Sequence, residues 1–182
     1  MDTRTLLRLY AGCAREEISR LFLPNSCIAS TAISLDVLTR YGTLARPWEV
    51  CLQVDDHAHH IDLGCSPPSS SSEVGGHLVA IVEEAFLLDA SLGQLSDRYP
   101  SLDLPAVFVG ELLPRGAPVR SYYEFPVRRA MLRYRVRSID GNYRGSPDWG
   151  ESPERKETVE RIVRRIDAYA TDHGLGPPRA AT

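Results

Sequence analysis

Three residues of complementary chemistry stand in the order cysteine, histidine, aspartate along the first half of the chain: Cys27, His77 and Asp89. A thiolate attacks carbonyl carbon, an imidazole takes and returns the proton, and a carboxylate orients the imidazole. The order therefore predicts nucleophilic acyl chemistry, provided that folding brings the three side chains together. Each residue alone also has a structural interpretation, as a buried apolar cysteine, a satisfied histidine at a strand edge or a turn residue at a strand end.

The cysteine stands in the first turn of a predicted helix. The stretch L-P-N-S-C-I-A-S-T-A-I-S-L-D-V-L-T-R-Y has mostly helical apolar spacing. Asn25 or Ser26 is suited to the N-cap, and Gly42 to the stop after the last turn. Cys27 therefore lies at the positive end of the helix dipole, which favours the nucleophilic thiolate form of a cysteine.

The histidine and the aspartate flank a predicted β-hairpin. His77 begins the apolar strand Leu78–Val82, and Asp89 ends the return strand after Phe86. A three-residue loop, Glu83–Ala85, places His77 and Asp89 on the same face as diagonal neighbours, within reach of a hydrogen bond. A loop of two or four residues would put them on opposite faces. Apolar residues on both faces predict a central position for the first strand.

The remaining patterns predict a single α+β domain over residues 1–174, with a disordered tail at 175–182. We expect N-terminal helices packed on a mostly antiparallel sheet, and a C-terminal helix covering it. The further predicted elements are a helix at Thr3–Phe22, strands at Arg46–Val54, Ala106–Leu113 and Met131–Arg137, the last with one basic face, and a helix from Ser152 to Gly174.

The segment from Asp55 to Gly76 is predicted to be a loop. It contains D-D-H-A-H-H-I-D, whose side chains are metal ligands by type but match no zinc spacing, so a solvated polar loop is favoured and no metal or cofactor is predicted. Its Ser/Pro/Gly run lies between the Trp48 strand and His77. That position predicts a mobile lid over the site, with Gly75 and Gly76 as the hinge.

Composition and charge argue against several classes of protein. The formal net charge is −3 and no basic face precedes the last third of the chain, which argues against a nucleic-acid binder. No apolar run approaches the ~20 residues of a membrane helix, and the N-terminus lacks the features of a signal peptide. We therefore expect a cytoplasmic protein whose four cysteines, Cys13, Cys27, Cys51 and Cys65, are free thiols.

The layout resembles the papain-like cysteine superfamily, and within it the transglutaminase-like and arylamine N-acetyltransferase branch. The residues that carry the resemblance are Cys27 in N-S-C-I-A-S, His77 in G-G-H-L-V-A-I-V and Asp89 in F-L-L-D-A-S. In that branch a cysteine at a helix N-terminus precedes a histidine and an aspartate on neighbouring antiparallel strands. The resemblance implies a papain-like core and a catalytic triad of these three residues.

The chain also departs from both groups of that branch. Leu-Pro-Asn-Ser precedes the cysteine, where the acetyltransferases usually have an arginine and glycines. Ile28 and Leu78 stand where transglutaminase-like proteins often have aromatic residues. The resemblance therefore carries over the nucleophile and its partners but not the substrate.

The reaction expected from these residues is cysteine-dependent attack on an amide, ester or thioester carbonyl of an acyl or peptide-like substrate. Hydrolysis is favoured over transfer because water needs no second binding site. The Cys27 backbone N–H and a second donor, with Asn25 as the candidate, would hold the oxyanion. The alternatives are a non-catalytic binding or regulatory module on the same fold and a metal-binding domain that uses the His57–Cys65 loop. The sequence leaves the oligomeric state open.

Overall fold

The protein folds as an α+β structure, as the sequence predicts. The computed structural model describes residues 1–19, 26–66, 76–112, 121–138 and 141–175. The helices in these ranges are α1 (Thr3–Ser19), α2 (Ser26–Arg40), α3 (Gly93–Arg98) and α4 (Pro153–Asp172). The strands are β1 (Ala45–Asp55), β2 (His60–Leu63), β3 (His77–Val82), β4 (Phe86–Asp89), β5 (Phe108–Glu111), β6 (Tyr122–Val127) and β7 (Ala130–Ser138).

All strand pairs in the sheet are antiparallel, in the order β5-β4-β3-β1-β7-β6, with β2 added beside β1. The sheet curls until its two edges approach one another. The ring of Phe125 on β6 lies 5.2 Å, centroid to centroid, from that of Phe108 on β5. A Cβ at Gly110 would lie 2.7 Å from the Phe125 ring, so a larger residue there would displace this ring. The result is a nearly closed, barrel-like sheet.

The helical layer lies against one face of this sheet. One apolar cluster joins α1, α2 and α4 to the sheet residues Ala80, Val82 and Leu88. The last helix does not cover the sheet as predicted; it packs mainly against α1 and α2 and so covers the helical layer. The Ser152 hydroxyl caps it by accepting a hydrogen bond from the Arg155 N–H at 3.1 Å, as predicted.

The β3–β4 hairpin has the predicted register, in which Val82 pairs with Phe86. Glu83 and Glu84 adopt left-handed backbone conformations, with φ of 52° and 54°, and the Ala85 N–H donates to the Val82 carbonyl at 3.0 Å. This tight three-residue loop fixes the parity of the two strands. The side chains of His77 and Asp89 consequently project from the same face, as the sequence predicts. The strand β3 is central, with β1 and β4 on either side.

Two predictions for the segment after Asp55 are wrong. The segment is not all loop, because β2 pairs with β1 and buries Ile61 against the sheet. This pairing sets Leu52 opposite Leu63 and brings Cys65 back to Cys51, with which it forms a disulfide. The expectation of four free thiols therefore holds only for Cys13 and Cys27.

Several predictions concern residues whose placement lies outside the described ranges. These are the oxyanion candidate Asn25, the hinge residue Gly75, the Ser/Pro run of the expected lid and the tail beyond residue 175. Within the described ranges, no helix is both long and apolar enough to span a membrane.

Candidate active site

The start of α2, the start of β3 and the end of β4 lie close together and bring the cysteine, the histidine and the aspartate to one place. Cys27 is the second residue of α2, His77 opens β3 and Asp89 closes β4. The Nε2 atom of His77 lies 2.7 Å from Oδ2 of Asp89, and the side chain of Cys27 is near enough to the same imidazole to influence its pKa. Because Asp89 occupies Nε2, the ring nitrogen left for the Cys27 sulfur is Nδ1.

The Asp89 carboxylate is fully buried and accepts hydrogen bonds on both oxygens. Oδ2 accepts from the Tyr134 hydroxyl at 3.0 Å as well as from His77. Oδ1 accepts from the backbone N–H of Ser91 at 3.0 Å and from the Ser91 hydroxyl at 2.8 Å. These donors hold the carboxylate in one position, and through it they fix the ring plane of the imidazole.

The electrostatics of the pair favour the charged form of both residues. Burial alone lowers the pKa of His77, but the charge and hydrogen bond of Asp89, joined by the interaction with Cys27, outweigh it and raise the pKa to about 10. Burial alone raises the pKa of Asp89, but the imidazolium and the Ser91 hydrogen bonds lower it below its ordinary value. These directions favour an imidazolium at His77, beside Cys27.

Apolar and aromatic side chains surround the cysteine. Ile28, Leu78 and Tyr143 form a buried cluster, and Cys27 and Trp149 pack against it. Tyr143 and Trp149 come from two successive 3-10 helices, Asn142–Gly145 and Pro147–Trp149, which follow β7. Their rings meet edge to face at 4.7 Å. This cluster gives the proposed nucleophile a partly water-excluded setting.

Glu49 on β1 is a buried carboxyl close to the backbone that leads into His77. A Cβ at Gly76 would lie 2.2 Å from Cγ of Glu49, and a Cβ at Gly141 would lie 2.1 Å from its Oε2. Burial raises the pKa of Glu49, opposed by the charge of Arg137. Gly76, predicted as a hinge, is thus a position where only a glycine admits the neighbouring carboxyl. Whether it acts as a hinge stays a prediction.

In the polar segment around β2, which is the alternative metal site, two histidines pair with aspartates. His59 Nδ1 lies 3.1 Å from an Asp56 oxygen, and His60 Nδ1 hydrogen-bonds to Asp55. Cys65 is occupied by its disulfide with Cys51. Among the described residues, no group of three or more His, Cys, Asp or Glu side chains is placed to hold a metal ion.

No sequence pattern assigned a role to Ser91, Tyr134, Glu49, Tyr143 or Trp149. For Ser91 a local signal exists, because a serine two residues after an aspartate commonly hydrogen-bonds to its carboxylate. For Tyr134 the alternation of side chains along the strand predicts that the residue is buried, but it does not predict the hydrogen bond to Asp89. Glu49, Tyr143 and Trp149 reach the site through tertiary packing alone.

Comparison with known proteins gives no relative for this arrangement. No family model, no curated protein and no solved structure matches the chain.

Proposed function

We propose that the protein is an enzyme of cysteine-dependent acyl chemistry, with Cys27 as nucleophile, His77 as acid and base, and Asp89 as the residue that positions His77. The observation that carries the proposal is the buried, hydrogen-bonded His77–Asp89 pair beside a cysteine in the first turn of a helix. An imidazolium–carboxylate pair beside a thiol is suited to stabilising a thiolate.

The reaction follows from these positions. The Cys27 thiolate forms a C–S bond to the carbonyl carbon, and the C=O π electrons move onto oxygen. When the tetrahedral species collapses, the leaving group departs with the proton from His77, and an acyl thioester remains. His77 then takes a proton from water, whose oxygen attacks the thioester. Collapse releases the acid and the Cys27 thiolate, and the imidazolium is restored.

The helix N-terminus contributes to stabilising the oxyanion. The first N–H groups of a helix have no partner within it, so the Cys27 backbone N–H is suited to donate to the developing negative charge. The second donor predicted from the sequence, Asn25, lies outside the described residues.

For the fold we propose a papain-like core of the transglutaminase-like kind. The support is the chain order of the three residues and their positions at a helix start and on neighbouring antiparallel strands. We propose hydrolysis as the reaction, because water serves as acceptor without a second binding site.

Acylation by 4-nitrophenyl acetate tests the proposal. We expect release of nitrophenolate with a single acetyl adduct on Cys27 in the intact mass. The Cys27→Ala variant should show none, while Cys13→Ala, which removes the other free cysteine, should react as the wild type does. If the wild type reacts no faster than Cys27→Ala, acyl chemistry is excluded and a non-catalytic binding module is favoured.

A further inference from the structure

Tyr134 reaches the proposed site from the other side of the barrel-like sheet. Its strand, β7, is separated from β4 by β3 and β1, yet its hydroxyl donates to Oδ2 of Asp89 at 3.0 Å. The residue is 0% exposed. Its ring stacks on Phe108 at 6.3 Å and meets Phe125 edge to face at 6.0 Å, centroid to centroid. Rings from the two edge strands therefore hold this hydroxyl against the carboxylate.

The Asp89 oxygen that Tyr134 contacts is the one that also accepts from His77. Nε2 of His77 lies 2.7 Å from Oδ2, whereas both Ser91 donors contact the other oxygen, Oδ1. Burial and the charge of Asp89 hold the pKa of Tyr134 well above its ordinary value, so the hydroxyl stays protonated. Tyr134 is therefore a permanent donor to an oxygen that it shares with the imidazole.

The ionisable side chains around His77 come from four elements. They are Asp89 on β4, Cys27 on α2, Tyr134 on β7 and Glu49 on β1, whose carboxyl lies against Gly76. Asp89 and Cys27 raise the pKa of His77. The hydroxyl of Tyr134 acts in the opposite direction, because the positive end of its dipole points at the oxygen beside the imidazolium and stabilises the carboxylate without it.

We propose that Tyr134 is a positioning residue that eases the transfer of a proton from His77 to the leaving group. When the Nδ1 proton departs, the imidazolium becomes a neutral imidazole, and the Asp89 carboxylate loses the positive charge beside it. The Tyr134 hydroxyl then forms the stronger hydrogen bond to Oδ2 and stabilises the carboxylate. Without this hydroxyl, His77 holds its proton more tightly and is a weaker acid. The leaving group as destination of the proton rests on the proposed function, but the effect on His77 does not.

The first experiment titrates the histidines by NMR in the Cys27→Ala protein, where no thiol at position 27 competes for the proton. Replacing the other histidines one at a time by glutamine assigns their signals and leaves that of His77. Tyr134→Phe should raise the pKa of His77 by about one pH unit, a tenfold gain in proton affinity. Tyr10→Phe is the matched control, because Tyr10 is another fully buried tyrosine, whose hydroxyl hydrogen-bonds to Ser34 at 2.6 Å. It should leave the titration of His77 unchanged.

A second variant has the opposite expected sign. Tyr134→3-fluorotyrosine keeps the ring and the hydroxyl, and the fluorine withdraws electrons, so the hydroxyl becomes a stronger donor. This variant should lower the pKa of His77, and it tests the inference even where Tyr134→Phe fails to fold. A pKa of His77 that stays the same or rises in the fluorinated protein overturns the inference. A pKa that stays the same or falls in Tyr134→Phe does so as well.

The second experiment compares two leaving groups in proteins that retain Cys27. Phenolate leaves less readily than 4-nitrophenolate, so acylation by phenyl acetate depends more on a proton from His77. Tyr134→Phe should therefore lower the rate with phenyl acetate relative to 4-nitrophenyl acetate by about threefold, and Tyr10→Phe should not change this ratio.

The two experiments separate failure of the inference from failure of the proposed function. Acylation by both esters at an unchanged ratio in Tyr134→Phe overturns the role of Tyr134 in proton transfer and leaves the nucleophile in place. Absence of acylation by either ester, together with the expected shifts in the titration of His77, overturns the acyl chemistry and supports the effect of Tyr134 on His77.

Discussion

Two groups of histidine and aspartate residues on this protein differ in their exposure to water. The buried pair, His77 and Asp89, has side chains that are 6% and 0% exposed. The surface cluster consists of the paired residues in D-D-H-A-H-H-I-D, and its His60–Asp55 pair is 61% and 28% exposed. In both groups an imidazole nitrogen hydrogen-bonds to a carboxylate. The residue types and this one hydrogen bond are therefore alike, and the surroundings are not.

Burial decides what each group can do. Around the buried pair, loss of water by itself lowers the pKa of His77, but the weakly screened attraction and the hydrogen bond to Asp89 outweigh this effect and raise the pKa to about 10. Around the surface cluster, water and salt screen the same attraction, so such pairs contribute little to stability. The surface cluster is denser in titratable residues along the sequence, yet the buried pair is the one that lies beside Cys27, the proposed nucleophile.

The largest expected difference between the two groups is in turnover. Asp89→Asn keeps the shape of the side chain but removes the charge that stabilises the imidazolium, so acylation of Cys27 should fall by about 10²–10⁴-fold with little change in substrate binding. Asp55→Asn, the matched change in the surface cluster, should leave the rate unaltered. Nitrophenolate release measures both variants.

A second comparison within the site tests whether its members act as a unit. Cys27→Ser should abolish turnover and preserve binding, and adding Asp89→Asn to it should cost nothing further. Near-normal turnover in Asp89→Asn would show that Asp89 only ends a strand and does not position His77.

The next effect in size is on stability. His77→Gln leaves the Asp89 carboxylate buried without its cation, and we expect the free energy of unfolding to fall by ~3–5 kcal/mol. His60→Gln removes the corresponding imidazole from the surface cluster, where water replaces it, and should leave the urea midpoint unchanged. Equal losses in the two variants would show that burial does not distinguish the groups.

The smallest effect is the dependence of this stability on pH. Because the pKa of His77 rises from 6.5 to about 10 on folding, its contribution is complete below pH 6.5 and is lost as the pH rises towards 10. Because folding lowers the pKa of Asp89, the contribution of Asp89 is present above pH 3.8 and is lost on acidification. The free energy of unfolding of the wild type should therefore exceed that of the neutral variant His77→Gln/Asp89→Asn most between about pH 4 and 6.5. The excess should become progressively smaller towards pH 10.

Urea unfolding at pH 5, 7, 9 and 10.5 measures this difference. A difference that stays constant across the range would mean that the imidazole of His77 is not charged in the folded protein.

The sequence by itself determined where the three residues of the proposed triad stand on their elements. Cys27 follows from helical periodicity and a stop at Gly42, whose φ is 65°. The shared face of His77 and Asp89 follows from the alternation of side chains along strands and from a loop of three residues. These are properties of short stretches, and local patterns encode them.

Only the tertiary structure decided the surroundings of those residues. Tyr134, which donates to Asp89, lies 45 positions further along the chain, and Trp149 is connected to α2 through Arg155, which donates to the Trp149 carbonyl and to Asp36. The disulfide between Cys51 and Cys65 depends on a short polar strand whose sequence resembles a loop. The charge of His77 depends on its pairing with the Asp89 carboxylate inside the protein, and elements distant in sequence bury this pair, so no short stretch of the chain encodes that charge.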